Sequence, residues 1–258
     1  MSDIDIQMQE DKQLLVAQNP SMSQYTIPPG LDYLVQLDQV LIKQKYEVFE
    51  LLSGCEMNNK YELKNSMGQQ FGTAKEDTDC CTRQCCGPAR PFDMKIMDNN
   101  EMEILNLHRP FKCGGSCCCV CEGCLQMIEV QAPPGTPIGS VHQEFSICTP
   151  FPVKYTVRNQ AGDVILNIQG PTCPCSCGSD VDFDVFTADS SNKIGKITKQ
   201  WRGWCAEALT DADNFGVTFP MDLEVRYKAL LIGAMFLVDF QFFESQNKGG
   251  DDLLSTIC

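Results

Sequence analysis

Hydrophobic and polar positions alternate along most of this chain, and one stretch breaks the alternation. Phe151, Val153, Tyr155 and Val157 recur at every second position up to Asn159, and Val164, Leu166 and Ile168 resume the rhythm after an Asn-x-x-Gly turn. A period of two sends successive side chains to opposite faces of a strand, so this pair predicts a hairpin. The same arrangement surrounds Asn65 to Gly68 and returns in weaker form at Asp98-Asn99-Asn100, between Met94 and Ile104. Ala229 to Val238 instead reads A-L-L-I-G-A-M-F-L-V, continued by Phe240, Phe242 and Phe243. A helix apolar all round must be wrapped on every side. Just ahead of it Met221, Leu223, Val225 and Tyr227 alternate, which predicts the last strand there.

The strands fall into two copies. Tyr61-Glu-Leu-Lys-Asn65-Ser-Met-Gly68 recurs as Tyr155-Thr-Val-Arg-Asn159-Gln-Ala-Gly162. Phe92-Asp93-Met94 with Asp98-Asn99-Asn100 is echoed by Phe183-Asp184-Val185 with Asp189-Ser190-Ser191. A cysteine cluster lies between these pairs in each copy, Cys80 to Cys86 and Cys173 to Cys177. Common order and spacing point to duplication of a unit of about ninety residues. Two such units supply roughly ten to twelve strands, and a sheet that large avoids exposed edges most simply by closing on itself. The predicted fold is therefore a mainly β, closed barrel with a pseudo-twofold repeat, threaded by the apolar C-terminal helix. Crossing a bilayer takes about 20 mostly apolar residues. Extending the run to Val225–Phe243 admits Arg226, Lys228 and Asp239, and charges within a membrane are costly. Lys228 to Phe243 is accordingly a core or membrane helix, with the core favoured.

Composition narrows the function. The 258 residues are 43% hydrophobic, enough for a full core, and carry a net charge of −14. That balance argues against a nucleic-acid surface and against adsorption to anionic lipid, both of which need clustered Lys and Arg. Polar, amide-rich residues 1–24 and residues 245–258 read as disordered tails around a domain at 25–244. The first twenty residues hold acids and amides where a secretory signal has a basic start and an apolar stretch, so a reducing compartment is expected.

Seventeen cysteines then need an explanation, above all the run Cys117-Cys118-Cys119-Val120-Cys121. A disulfide knot fits poorly, because three consecutive residues cannot all reach partners with good bridge geometry. A zinc thiolate site has material in Cys118, Cys121 and Cys124, spaced C-x-x-C-x-x-C, but lacks paired C-x-x-C knuckles. Acylation needs only exposed cysteines at a membrane surface, and adjacent ones allow the two chains that stable anchoring requires. It is the favoured reading.

Asp211 to Asp222 can be laid on a twelve-residue calcium loop: Asp211 at position 1, Asp213 at 3, Phe215 at 5, Gly216 at 6, the Val217 carbonyl at 7, Phe219 at 9 and Asp222 at 12. The two Phe stand where oxygen ligands belong, so any calcium binding should be weak, and Phe215, Val217 and Phe219 also alternate as a plain strand would. Gly195, Lys196, Lys199 and Trp201 lie in the most basic stretch, which a solvated strand with one aromatic accounts for better than an import signal. His108 and His142 are the only histidines, too few for a His-rich metal site; His108, before Arg109-Pro110 at a strand end, reads as a satisfied loop residue. No G-x-S-x-G, Walker or dinucleotide motif appears.

Taken together, Pro28-Pro29-Gly30-Leu31, Leu107-His108-Arg109-Pro110, the Cys117 to Cys121 run, Gly195-Lys196-Ile197 with Trp201, Asp211-Ala-Asp-Asn-Phe-Gly and the terminal apolar helix resemble the phospholipid scramblase family over residues 25–244. The resemblance implies a tubby-like fold, a twelve-stranded barrel around a C-terminal helix. It further implies palmitate on Cys117, Cys118, Cys119 and Cys121, calcium at Asp211 to Asp222, and an import-like segment at Gly195 to Trp201 with a nuclear pool. The implied activity is calcium-triggered, ATP-independent phospholipid movement at the cytoplasmic face of the plasma membrane, with no covalent chemistry. Only Pro20 precedes Pro28, which argues against the SH3 or WW partners that a Pro-rich N-terminal region recruits in many members. The rival reading is an acylated adaptor that binds lipids or proteins and moves no lipid.

Overall fold

The computed structural model describes residues 27–28, 30–45, 58–112, 122–133, 135–145, 152–171, 181–200 and 214–242. Twelve strands carry the alternation read in the sequence: β1 Gln39–Lys45, β2 Lys60–Lys64, β3 Gln70–Asp77, β4 Phe92–Asp98, β5 Glu103–Arg109, β6 Met127–Ala132, β7 Thr136–Gln143, β8 Lys154–Asn159, β9 Val164–Gln169, β10 Val181–Thr187, β11 Lys193–Gln200 and β12 Asn214–Thr218. Each pairs antiparallel with its neighbours in chain order, and β1 pairs with β12 in the register Val40↔Val217, closing the barrel. A short helix, α1 (Cys80–Cys86), joins β3 to β4, and a long one, α2 (Val225–Phe242), follows β12.

The inward faces of the strands are mostly apolar, with Glu76, Arg109 and Lys199 among the exceptions, and α2 fills the space those faces enclose. Tyr61, Leu63, Met94, Ile96, Val130, Tyr155, Val157 and Phe183 point inward, and every apolar side chain from Ala229 to Val238 is at most 1% exposed. Each large side chain so buried contributes about 1.5–3 kcal/mol. Gly233 lets α2 press against β6, since a Cβ there would stand 2.6 Å from Val130 Cγ2. The void lined by Ile42, Tyr61, Phe215 and Phe236 measures about 10 Å3, room for one water at most.

In an antiparallel meander every second connection lies at the same end. The β2–β3, β4–β5, β6–β7, β8–β9 and β10–β11 turns are tight and form the hairpin end; the longer links form the connector end. The duplication is written in the turns. Asn65 and Asn159 each accept a backbone N–H on Oδ1, from Gln69 and Asp163 at 2.9 Å, while Gly68 and Gly162 take φ of +77° and +90°. The second pair of turns corrects the sequence alignment by two residues. The Glu101 N–H returns to the Asp98 carbonyl, and the Ser190 N–H returns to that of Thr187, so Thr187 rather than Asp189 is the counterpart of Asp98.

The predicted last strand is also corrected. β12 ends at Thr218, Met221 is exposed in a turn, and Val225 and Tyr227 already belong to α2. The alternation there is chance: a turn closed by Leu223 N–H to the Pro220 carbonyl runs straight into the first helical turn. The helix thus starts three residues before Lys228, and Phe243 lies outside the described residues.

Lys228 explains how one charge is tolerated inside. Wholly buried, its Nζ donates to the carbonyls of Leu34, Val35, Leu37 and Met221 at 3.0, 3.1, 2.7 and 2.7 Å, and lies 5.3 Å from the Phe219 ring centre. Leu34 and Val35 belong to a 3-10 turn, Asp32–Gln36, which closes the hairpin end with Leu31 and Leu34 fully buried. Burial pulls the Lys228 pKa below its ordinary value, and the carboxylates of Asp222 and Asp38 oppose that pull.

Candidate functional site

The connector end is where the candidate chemistry gathers, and its floor is built of buried charge on aromatic rings. Arg90, 1% exposed, meets Glu76 with both carboxylate oxygens, Nε at 2.6 Å and Nη2 at 2.9 Å, and lies 4.8 Å from the centre of the Phe240 ring near the end of α2. Phe240 stacks on Phe92 at 4.2 Å between centroids, and Arg109 lies 5.7 Å from the Phe92 centroid. Arg109 in turn donates to Gln126 Oε1 at 2.7 Å. Beside it Gln241 of α2 accepts from the Tyr155 hydroxyl at 2.7 Å and donates to Gln143 at 3.3 Å. Burial pushes the Tyr155 pKa up, so the hydroxyl stays a donor. The Gln241 bonds tie this end of α2 to β7 and β8, as Lys228 ties its other end to the 3-10 turn Asp32–Gln36. Neither the Arg90–Glu76 pair nor the Lys228 cage was foreseen; a single Lys at the edge of an apolar run was the only sequence signal for the latter.

Cys117, Cys118, Cys119 and Cys121 lie outside the described residues, in the link from β5 to β6. That link leaves the barrel at Arg109 and returns through a 3-10 turn, Glu122–Cys124. Cys124 takes part in a disulfide and so leaves the proposed C-x-x-C-x-x-C trio. Cys80, Cys81, Cys85 and Cys86 on α1 are free. Among the described residues no three Cys, His, Asp or Glu side chains are grouped to hold a metal ion.

The calcium segment does not fold as one loop. Asp211 and Asp213 lie outside the described residues. Phe215 and Val217 belong to β12, paired with β1 on one side and β11 on the other, and with Phe219 they are 0–4% exposed in the core. Gly216 takes no left-handed φ; a Cβ there would stand 2.9 Å from Leu41 Cδ2, so close packing accounts for the glycine. Phe215, Val217 and Phe219 therefore do not fit a calcium ion, because the core takes all three side chains and the ladder takes the backbone of Phe215 and Val217. Asp222 is exposed beyond the strand.

The basic stretch is a strand too. Gly195, Lys196 and Lys199 lie in β11, where Lys196 pairs with Asp182 at 3.1 Å and Lys199 is buried 5.5 Å from the Phe215 ring centre; Trp201 lies outside the described residues. His108 lies at the end of β5, as expected, but inside the strand rather than in the loop, its Nδ1 2.8 Å from Asp93 Oδ1. His142 meets the Ser140 hydroxyl, and burial first, then Arg158 and Lys112, hold its pKa below the usual value.

A family model described as Scramblase matches residues 18–245. The chain belongs to the scramblase family. It is 56% identical over 218 residues to phospholipid scramblase 1 of Homo sapiens, a match covering 84% of this chain and 67% of that protein. Phospholipid scramblase 1 of Rattus norvegicus is 53% identical over 217 residues, 84% of this chain and 63% of that protein. The chain thus spans about two thirds of the length of these curated relatives. Among solved structures, a porin-like protein from Bacteroides uniformis aligns at 10% identity and a TM-score of 0.25, covering 64% of this chain and 60% of the other, a likeness too slight to bear on fold or function. The scramblase match takes in the 3-10 turn Asp32–Gln36, all twelve strands and α2, so every described candidate residue lies inside it.

Proposed function

We propose that this chain moves phospholipids between the leaflets of the plasma membrane, without ATP and in response to calcium, held at the cytoplasmic face by palmitate on Cys117, Cys118, Cys119 and Cys121. The observation that carries the reading is the 56% identity to phospholipid scramblase 1 across 84% of the chain. Lipid crossing is downhill once the leaflets differ in composition, so it needs neither a nucleotide nor a covalent step. Because the apolar side chains of α2 from Ala229 to Val238 fill the barrel at no more than 1% exposure, the lumen offers headgroups no polar path in this reading. In this reading the barrel acts from outside, disturbing the bilayer beneath its connector end. On the same reading calcium sensitivity rests on Asp211 and Asp213, ahead of β12, while Asp222 follows the opposite end of that strand, beside Lys228. A nuclear pool reached through Gly195 to Trp201 would require β11 to leave both of its neighbours.

The filled interior favours a second reading. Among the described residues no helix is long and apolar enough to cross a membrane. An acylated adaptor that binds lipids or proteins needs no crossing. Purified full chain in vesicles with fluorescent phospholipids and an impermeant quencher separates the two. Calcium-dependent exposure of inner-leaflet lipid, lost in Asp211→Ala, is the expected result. Lipid binding with no exchange at any calcium concentration would leave the adaptor.

A further inference from the structure

Four free thiols crowd the seven residues of α1. Cys80, Cys81 and Cys85 are exposed and Cys86 is half-buried. Cysteine is among the residue types most often found inside, so this display runs against its chemistry as a small hydrophobe. The helix is pinned from its other side. Asp79 caps it by accepting the Thr82 N–H at 2.9 Å, and the buried Arg83 donates to the Asn58 side chain and the Thr78 carbonyl. With Arg83 turned inward, Cys81 and Cys85, one turn apart, share the outer face, and Cys80 and Cys86 flank them.

The uses of such a patch can be sorted by geometry. The thiols do not converge as metal ligands. Adjacent cysteines in a helix bridge only with strain, and all four are free. Exposed adjacent pairs suit the two-chain requirement of stable lipid anchoring. Position adds a second argument. α1 runs into the turn Gly87–Ala89, and the Gly87 carbonyl accepts from Arg90 at 2.9 Å, so the thiols border the connector-end floor from which the Cys117 to Cys121 link departs. Among the described residues no cysteine lies in a strand or in a turn of the hairpin end.

We propose that Cys80, Cys81, Cys85 and Cys86 are a second S-acylation site, through which the barrel meets the bilayer by its connector end. A cysteine sulfur attacks the carbonyl carbon of a long-chain acyl thioester. The new S–C bond forms as the donor's C–S bond breaks, and the thiol proton leaves on the donor's sulfur, with no change of oxidation state. This inference rests on the acyl-anchoring reading above.

The test is acyl exchange on the full chain expressed in cells: free thiols blocked, thioesters cleaved with hydroxylamine, the released thiols mass-tagged and mapped by peptide. With Cys117, Cys118, Cys119 and Cys121 all changed to Ser, hydroxylamine-dependent tags should remain on the α1 peptide. Changing Cys80, Cys81, Cys85 and Cys86 to Ser should remove those tags and lower the membrane-bound fraction several-fold. Cys81→Ser with Cys85→Ser serves the same purpose if the quadruple variant misfolds. Tags confined to Cys117 to Cys121 would overturn the second site and leave the anchoring reading standing, whereas no tags anywhere would overturn both.

Discussion

Changing Lys228 to Met keeps the length of the side chain and removes its ammonium. The four carbonyls it serves belong to Leu34, Val35, Leu37 and Met221. Leu34 keeps a second donor, the Leu37 N–H at 3.2 Å, so three carbonyls bear the loss. An orphaned buried polar group costs about 1–3 kcal/mol, and because three of the four contacts are only part-buried the low end applies. Relief of the ammonium's own desolvation offsets some of this, leaving roughly 1–3 kcal/mol of destabilisation. For a domain of this size that lowers Tm by roughly 2–12 °C. Urea unfolding followed by circular dichroism should show a lower midpoint at an unchanged slope. The pH dependence gives a second readout. The folded pKa lies below the ordinary 10.5, so between the two values the unfolded chain binds more protons and wild-type stability rises with pH; the Met variant should lack that rise. An unchanged or higher midpoint would mean that desolvating the ammonium costs as much as its four bonds return, and would refute the reasoning.

Three further outcomes are expected. Glu76→Gln leaves the buried Arg90 guanidinium without its anion and should destabilise by about 3–5 kcal/mol in the same urea assay. Gly233→Val overpacks the approach of α2 to Val130, whose branched side chain has little freedom to yield, at a cost of about 1–3 kcal/mol read as a lower Tm. Glu62 is held at a pKa of about 2 by hydrogen bonds from Lys45 and Lys64, so its contribution is present above about pH 4.5 and fades as pH falls towards 2. Since Lys45 is half exposed, the effect is no more than about 1 kcal/mol; Glu62→Gln should flatten that part of the stability–pH curve.

The barrel and its filling were legible because each rested on a pattern with one physical cause. Asn65 to Gly68 and Asn159 to Gly162 repeat because both turns need an amide acceptor and a left-handed residue, a role Gly fills best. The other turn pair was misaligned because Glu101 and Ser190 take that left-handed position and Thr187 does the work of Asp98, leaving no shared letters. The calcium pattern misled for a related reason. Asp-x-Asp-x-x-Gly fixes spacing but not backbone, and β12 uses its glycine to pass Leu41 rather than to turn. The floor of Arg90, Glu76 and Arg109 could not be read ahead, since it depends on strands β3 to β5 aligning charges far apart in the chain.

The order of the elements has a consequence for synthesis. A ribosome delivers all twelve strands before the rod they surround, and the seam between Val40 and Val217 cannot be sewn until β12 has emerged. Native contacts this distant in sequence form slowly, and unpaired strand edges invite association meanwhile. A nascent chain of this design spends its translation as an unfilled wrapper until residues 225–242 arrive, and a message interrupted before them encodes a coat with nothing to close around.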